Sequence, residues 1–210
     1  MLGYLTRDQM LAVIDVPTDN WIGQRDRLLL HLLYNTGARV SEISMVRVAD
    51  VVSGNAPCVH LQGKGRKQRS VPLWKSTAKD IRAWLHLNDH LKSDSPLLPT
   101  HDGRHMTRAN VAQRLKIAVN RATSGNLELA KMSVTPHTFR HSTAMHLLQS
   151  GVDVNVIALW LGHESPSTTH MYIEADLAMK EKALSRLKGP EIKHARYCPP
   201  EGLMHFLQAL

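Results

Sequence analysis

Four short segments, far apart in the chain, carry side chains that hold anions and move protons: Thr36-Gly37-Ala38-Arg39-Val40-Ser41-Glu42, Gly63-Lys64-Gly65, His137-Thr138-Phe139-Arg140-His141 and Leu161-Gly162-His163-Glu164. Tyr172 follows nine residues after His163. Arginine suits an anion because its planar fork offers two parallel charge-assisted hydrogen bonds to phosphate oxygens and stays ionised at any working pH. Arg39 follows a glycine-containing helix end and opens the next helix, where backbone N–H groups can also face an anion. Glu42, three residues on, can hold its guanidinium across one turn. His137 and Arg140, also three apart, share a helix face and can reach a single phosphate. His141 joins His137 at i, i+4, a spacing that zinc sites use. The intervening Thr-Phe-Arg lacks the usual glutamate and the Arg140 cation would repel a metal, so no metal is expected.

Taken singly, each of these residues has an ordinary reading: an arginine as a solvated charge, a histidine after a Leu-Gly turn as a structural hydrogen-bonder, a tyrosine in a short helix as packing. Composition tilts the balance. Lys and Arg number 26 against 18 Asp and Glu, and the pI near 9.7 favours a polyanionic partner such as nucleic acid. Cys58 and Cys198 form no Cys-x-x-Cys pair, which argues against a disulfide framework or a thiolate zinc site and for a reducing compartment. The start, MLGYLTRDQM, lacks the apolar run of a signal peptide, and no stretch of ~18 uncharged apolar residues offers a membrane span. A soluble, cytoplasmic protein with no membrane partner is expected, long enough to bury a real core.

These residues need elements to position them. Thr6-Arg7-Asp8-Gln9 has the form of a capping box, which predicts a first helix over about Arg7 to Ile14. Trp21, Leu28, Leu29, Leu32 and Leu33 recur at helical spacing, with Gly37 placed for a left-handed cap. Cys58 to Leu61 and Arg69 to Leu73 read as the strands of a hairpin with Lys64, Arg66 and Lys67 at its tip. Helical periodicity returns at about Ser76 to Leu91, Thr107 to Thr123 and Pro136 to Gln149, the last opened by Thr135-Pro136. Gly151 and Gly162 close the next two segments, further helices are expected over about Pro166 to Glu174 and Asp176 to Leu187, and Gly189-Pro190 stops the last of them. Leu203, Phe206, Leu207 and Leu210 could form one more amphipathic helix in the tail.

In this order and at these spacings, the four segments and Tyr172 resemble the tyrosine recombinase (phage integrase) family, most closely its Xer-like members, over about Tyr4 to Leu187. The resemblance implies an α+β, mostly α-helical catalytic domain with a small antiparallel β-hairpin at one edge, spanning 1–188, and a tail over 189–210. It implies DNA strand cleavage and rejoining without metal, ATP or other cofactor. Arg39 and Arg140 would clamp the scissile phosphate with His137 and His163, and Tyr172 would attack to leave a 3′-phosphotyrosyl link. Lys64 would protonate the departing 5′ oxygen. A phenol, with a reference pKa of ~10, forms an ester that is also a reasonable leaving group in the reverse step.

Arg66, Lys67, Arg69 and His141 are expected to contact DNA. The partners implied are double-stranded DNA and further copies of the chain, as a homo-tetramer on DNA and a monomer without it. One departure stands out: the N-terminal helical domain with which family members close around DNA is expected to be absent, which predicts weak binding and poor unaided cleavage. Two rival functions fit the same residues, a type IB topoisomerase-like relaxation and a DNA-binding or regulatory remnant without turnover.

Overall fold

A computed structural model of the chain describes residues 3–63 and 68–162. These fall within one compact unit. Lys64, Arg66 and Lys67, His163, Tyr172, the helices expected after Pro166 and the tail over 189–210 lie outside the described residues.

The first helix, α1 (Arg7–Ile14), opens on a complete capping box. Thr6 Oγ1 accepts from the Gln9 amide, and Gln9 Oε1 accepts from the Thr6 amide. α2 (Trp21–Thr36) starts where Asn20 Oδ1 accepts from the Gly23 amide and ends at Gly37, whose φ of 57° is the left-handed conformation expected from its glycine. Leu28, Leu29, Leu30, Leu32 and Leu33 are all buried. Five leucines among six consecutive positions cover more than one face, so α2 is central, packed by α4 (Lys75–Leu87) on one side and α7 (Pro136–Gln149) on another.

A one-turn helix, α3 (Val40–Ile43), follows, then a two-residue strand β1 (Val51–Val52) and the expected hairpin, β2 (Cys58–Gln62) and β3 (Gln68–Pro72). The three strands form an antiparallel sheet in the order β1-β2-β3, with Val59 opposite Val71 and Leu61 opposite Arg69. Val59, Leu61 and Val71 are fully buried, which sets one face of the sheet on the core. The short edge strand β1 was not anticipated, since two residues carry no periodicity.

α4 stops at Leu87, four residues short of the expected end. Asn88 supplies the reason: its Nδ2 donates to the Trp84 carbonyl while its Oδ1 accepts from Trp21 Nε1, so one buried side chain closes the helix and fastens it to α2. α5 (Arg108–Ala122) agrees with expectation to within a residue at each end, capped by Thr107. A four-residue helix α6 (Leu127–Ala130) precedes α7, and α8 (Val154–Leu161) ends at Gly162, again left-handed with φ 66°.

α7 is buried on every side from Phe139 to His146. Its polar residues are accommodated by hydrogen bonds, as burial demands. Ser142 Oγ accepts from the Leu5 amide and Thr143 Oγ1 donates toward the Tyr34 carbonyl. The structure is therefore mostly helical with a small antiparallel sheet. No helix among the described residues is long and apolar enough to cross a membrane.

Candidate active site

A helix ends with carbonyl groups that have no partner of their own, and with the negative end of its dipole. At the end of α8, three arginines from three separate elements meet those groups. Arg69 Nε on β3 donates to the Trp160 carbonyl at 2.9 Å. Arg140 Nη2 on α7 donates to the Leu161 carbonyl at 2.8 Å, and Arg39 Nη2, at the head of α3, donates to the Gly162 carbonyl at 3.3 Å. Three consecutive carbonyls thus gather three guanidiniums, with His163 next in sequence.

Arg140 is the most deeply set of the three. Its Nη1 also donates to the Gly37 carbonyl at 2.6 Å, so one buried side chain ties the end of α2 to the end of α8. Arg39, two residues beyond Gly37, has a side chain that is 43% exposed. The two guanidiniums expected to form a clamp are therefore brought together, Arg140 as the anchored wall and Arg39 as the accessible one.

Glu42 organises the group from beneath. Its carboxylate is 2% exposed and accepts from Arg39 Nη1 at 2.9 Å, as the i, i+3 spacing predicts. Burial by itself would push this carboxyl up, yet hydrogen bonds and charge from Arg69 and Arg39 outweigh it and hold the group below the usual range. Glu42 stays ionised, and two guanidiniums, those of Arg39 and Arg69, bond to it.

Arg69 departs from expectation. It was expected among the phosphate contacts of the hairpin, whereas its guanidinium turns inward, with Nη1 and Nη2 on the two Glu42 oxygens at 2.8 Å each. The strand's alternation carried the signal: Arg69 shares the inward face of β3 with buried Val71. What sequence could not supply was the carboxylate waiting there, 27 residues away in the chain.

His137 sits exposed in the first turn of α7, just past the Thr135 cap. His141 is buried and stands edge-on to the Tyr4 ring at 6.2 Å between centroids. A DNA contact through its ring would need to pass that packing, so this residue lies under the site rather than at its surface. Tyr34 is packed with its hydroxyl 2.9 Å from His146 Nδ1, and His146 Nε2 lies 2.9 Å from the Leu5 carbonyl. A cavity of about 210 Å³ lies elsewhere, between the α1–α2 loop and α5, lined by residues including Pro17, Asn20 and Arg114. The arginine cluster borders no part of it.

Fold and site together define a mostly helical domain in which arginines from three elements gather at the end of one helix. A family model, the phage integrase family, matches residues 3–179, and the chain belongs to that family. It is 38% identical over 212 aligned positions to an integrase/recombinase, y4rC, of Sinorhizobium fredii, covering 100% of this chain and 63% of that protein. It is 33% identical to tyrosine recombinase XerC of Chlamydia trachomatis, over 85% of this chain and 56% of the relative. The chain thus spans less than two thirds of the length of these relatives.

Among solved structures, the XerA recombinase superposes with a TM-score of 0.75 at 23% identity, covering 89% of this chain and 64% of that one. The XerH site-specific recombinase bound to its difH substrate, a pre-cleavage complex, gives 0.72 at 25% identity over 87% of this chain and 53% of that one. The α+β fold is that of these recombinases.

Proposed function

We propose that this chain is the catalytic domain of a site-specific tyrosine recombinase, which cuts and rejoins double-stranded DNA through a 3′-phosphotyrosyl intermediate. The observation that carries the reading is the convergence of Arg39 and Arg140 on the consecutive Leu161 and Gly162 carbonyls, immediately before His163. Attack on a phosphodiester builds negative charge on the non-bridging oxygens, and two preset guanidiniums meet that charge without having to reorganise.

In this reading Tyr172 loses its phenolic proton and forms a new P–O bond, the P–O5′ bond breaks, and Lys64 gives a proton to the departing oxygen. His137, exposed beside Arg140 on α7, and His163 complete the binding of the phosphate. One phosphate ester is exchanged for another, so no cofactor, metal or nucleotide is consumed. A free 5′-hydroxyl from a partner duplex reverses the step, and strands are exchanged through a four-way junction within a tetramer on DNA. Arg66 and Lys67 hold neighbouring phosphates. The relatives named above, recombinases by name and one of them bound to its difH substrate, support this assignment, as does the basic balance of the chain. The two cysteines without a Cys-x-x-Cys pair accord with action in the cytoplasm.

The test is a suicide substrate, nicked beside the cleavage point so that the 5′ fragment diffuses away. The wild-type chain is expected to trap DNA covalently and Tyr172→Phe to trap none. An adduct that persists in Tyr172→Phe removes the assigned nucleophile. Absence of any adduct on the sites bound by related recombinases removes the activity and leaves the DNA-binding reading. Supercoil relaxation without strand exchange would make the chain a type IB topoisomerase instead.

A further inference from the structure

Arg69 has no role in the scheme above, yet its guanidinium is engaged at all three nitrogens. Its side chain is 12% exposed, and Nε, Nη1 and Nη2 all donate: to the Trp160 carbonyl, Glu42 Oε1 and Glu42 Oε2. It also packs closely against Gly162, the residue that caps α8. A β-carbon added to Gly162 would come within 2.9 Å of its Nη1 and 3.2 Å of its Cζ.

The accounting at Glu42 shows what this does. A carboxylate offers about four acceptor positions. Arg69 fills two, the Arg39 amide takes a third at 2.7 Å on Oε2, and Arg39 Nη1 takes the fourth at 2.9 Å on Oε1. A bidentate grip is the strongest an arginine can make on a carboxylate. Arg69 holds that grip, so Arg39 is left with a single side-chain bond to Glu42 and a long one to Gly162, and the rest of its fork faces outward.

We propose that Arg69 is a positioning residue for Arg39: by saturating Glu42 it prevents that carboxylate from taking the whole Arg39 guanidinium, and by bonding the Trp160 carbonyl it locks strand β3 to the end of α8. The inference rests on the catalytic reading given above. Without Arg69, the buried carboxylate has two vacant positions beside a mobile guanidinium. Arg39 folds down onto it in a bidentate pair, and its fork leaves the phosphate. Arg69 does not itself touch DNA.

Three chains test this: Arg69→Gln, Arg69→Lys, and Arg69→Gln combined with Glu42→Gln. Each is measured for covalent adduct formation on a suicide substrate at saturating DNA, and for duplex binding across a salt series. Arg69→Gln is expected to slow adduct formation about 10- to 100-fold, the scale of a misplaced catalytic group. The slope of log affinity against log salt should become shallower by about 0.9, because Arg39 leaves its phosphate, and should return to the wild-type value in the double variant. Arg69→Lys, with one ammonium for two oxygens, should fall between, and it serves if the Gln variant does not fold. Adding Glu42→Gln should restore part of the lost rate, since a neutral amide no longer draws Arg39 down.

A slope that stays shallower by about 0.9 in the double variant would mean that Arg69 itself met a phosphate and would overturn the proposal. So would a double variant no faster than Arg69→Gln alone, which is what a purely structural role produces. If wild type itself forms no adduct while binding DNA, the catalytic reading fails first and this inference falls with it.

Discussion

Gly37→Ala probes the turn on which both clamp arginines depend. Gly37 has φ 57°, its carbonyl accepts from Arg140, and an added β-carbon would stand 2.4 Å from Leu161 Cδ2. Two costs add. A left-handed conformation costs a non-glycine residue about 1–2 kcal/mol. Forcing a methyl against a fully buried leucine costs about 1–3 kcal/mol more, because a close-packed interior yields only by moving side chains off their rotamers. The sum, about 2–5 kcal/mol, corresponds to a fall in Tm of roughly 4–20 °C for a domain of this size.

Gly151 is the internal control. It has φ 83° but nothing within 4 Å of the added carbon, so Gly151→Ala should show the dihedral cost alone. Urea denaturation of both variants at constant m-value gives the difference directly. Gly37→Ala should be the less stable by the contact contribution, about 1–3 kcal/mol. It should also form covalent adduct more slowly than Gly151→Ala, because Leu161 is displaced together with a carbonyl that holds Arg140. Equal stability losses in the two variants would refute the packing argument.

Two further expectations can be measured directly. Burial holds His146 below its ordinary value of 6.5, a hydrogen bond with the Leu5 carbonyl opposing and the Arg7 charge assisting. A carbonyl can only accept, so Nε2 donates to Leu5 and Nδ1 accepts from Tyr34 in the neutral ring. The unfolded chain therefore takes up a proton first as pH falls. His146 contributes stability that is full above 6.5 and is lost below it toward the folded pKa, by at most about 1.4 kcal/mol per pH unit. Denaturation of wild type and His146→Gln from pH 7.5 to 5 should show the wild type losing more stability on acidification, and parallel curves would remove His146 as the cause. At the hairpin tip, Arg66→Ala and Lys67→Ala should each lower the slope of log DNA affinity against log salt by about 0.9, measured by fluorescence anisotropy, with an unchanged slope excluding a phosphate contact.

Much of the architecture was legible because it is written locally. Thr6 and Gln9 announce the start of α1, Gly37 and Gly162 the ends of α2 and α8, and Thr135-Pro136 the start of α7, since caps depend on residues within one turn. The end of α4 was misjudged because its stop signal is a buried Asn88 bonded to Trp21, 67 residues away. β1 was missed because two residues pair only through a partner strand.

The site divides in the same way. Spacing foresaw the Arg39 to Glu42 bond within one turn, while the choice of Arg39, His137 and Arg140 as candidates came from the family resemblance. That Arg69 is an internal strut, that His141 is packed beneath Tyr4, and that the end of α8 is where three guanidiniums gather are matters of tertiary structure. A sequence specifies which side chains can donate and roughly which face they occupy. Which acceptor each of these arginines reaches is decided when elements separated by as many as 123 residues are packed together, because a buried donor takes the partner that packing leaves within hydrogen-bond range.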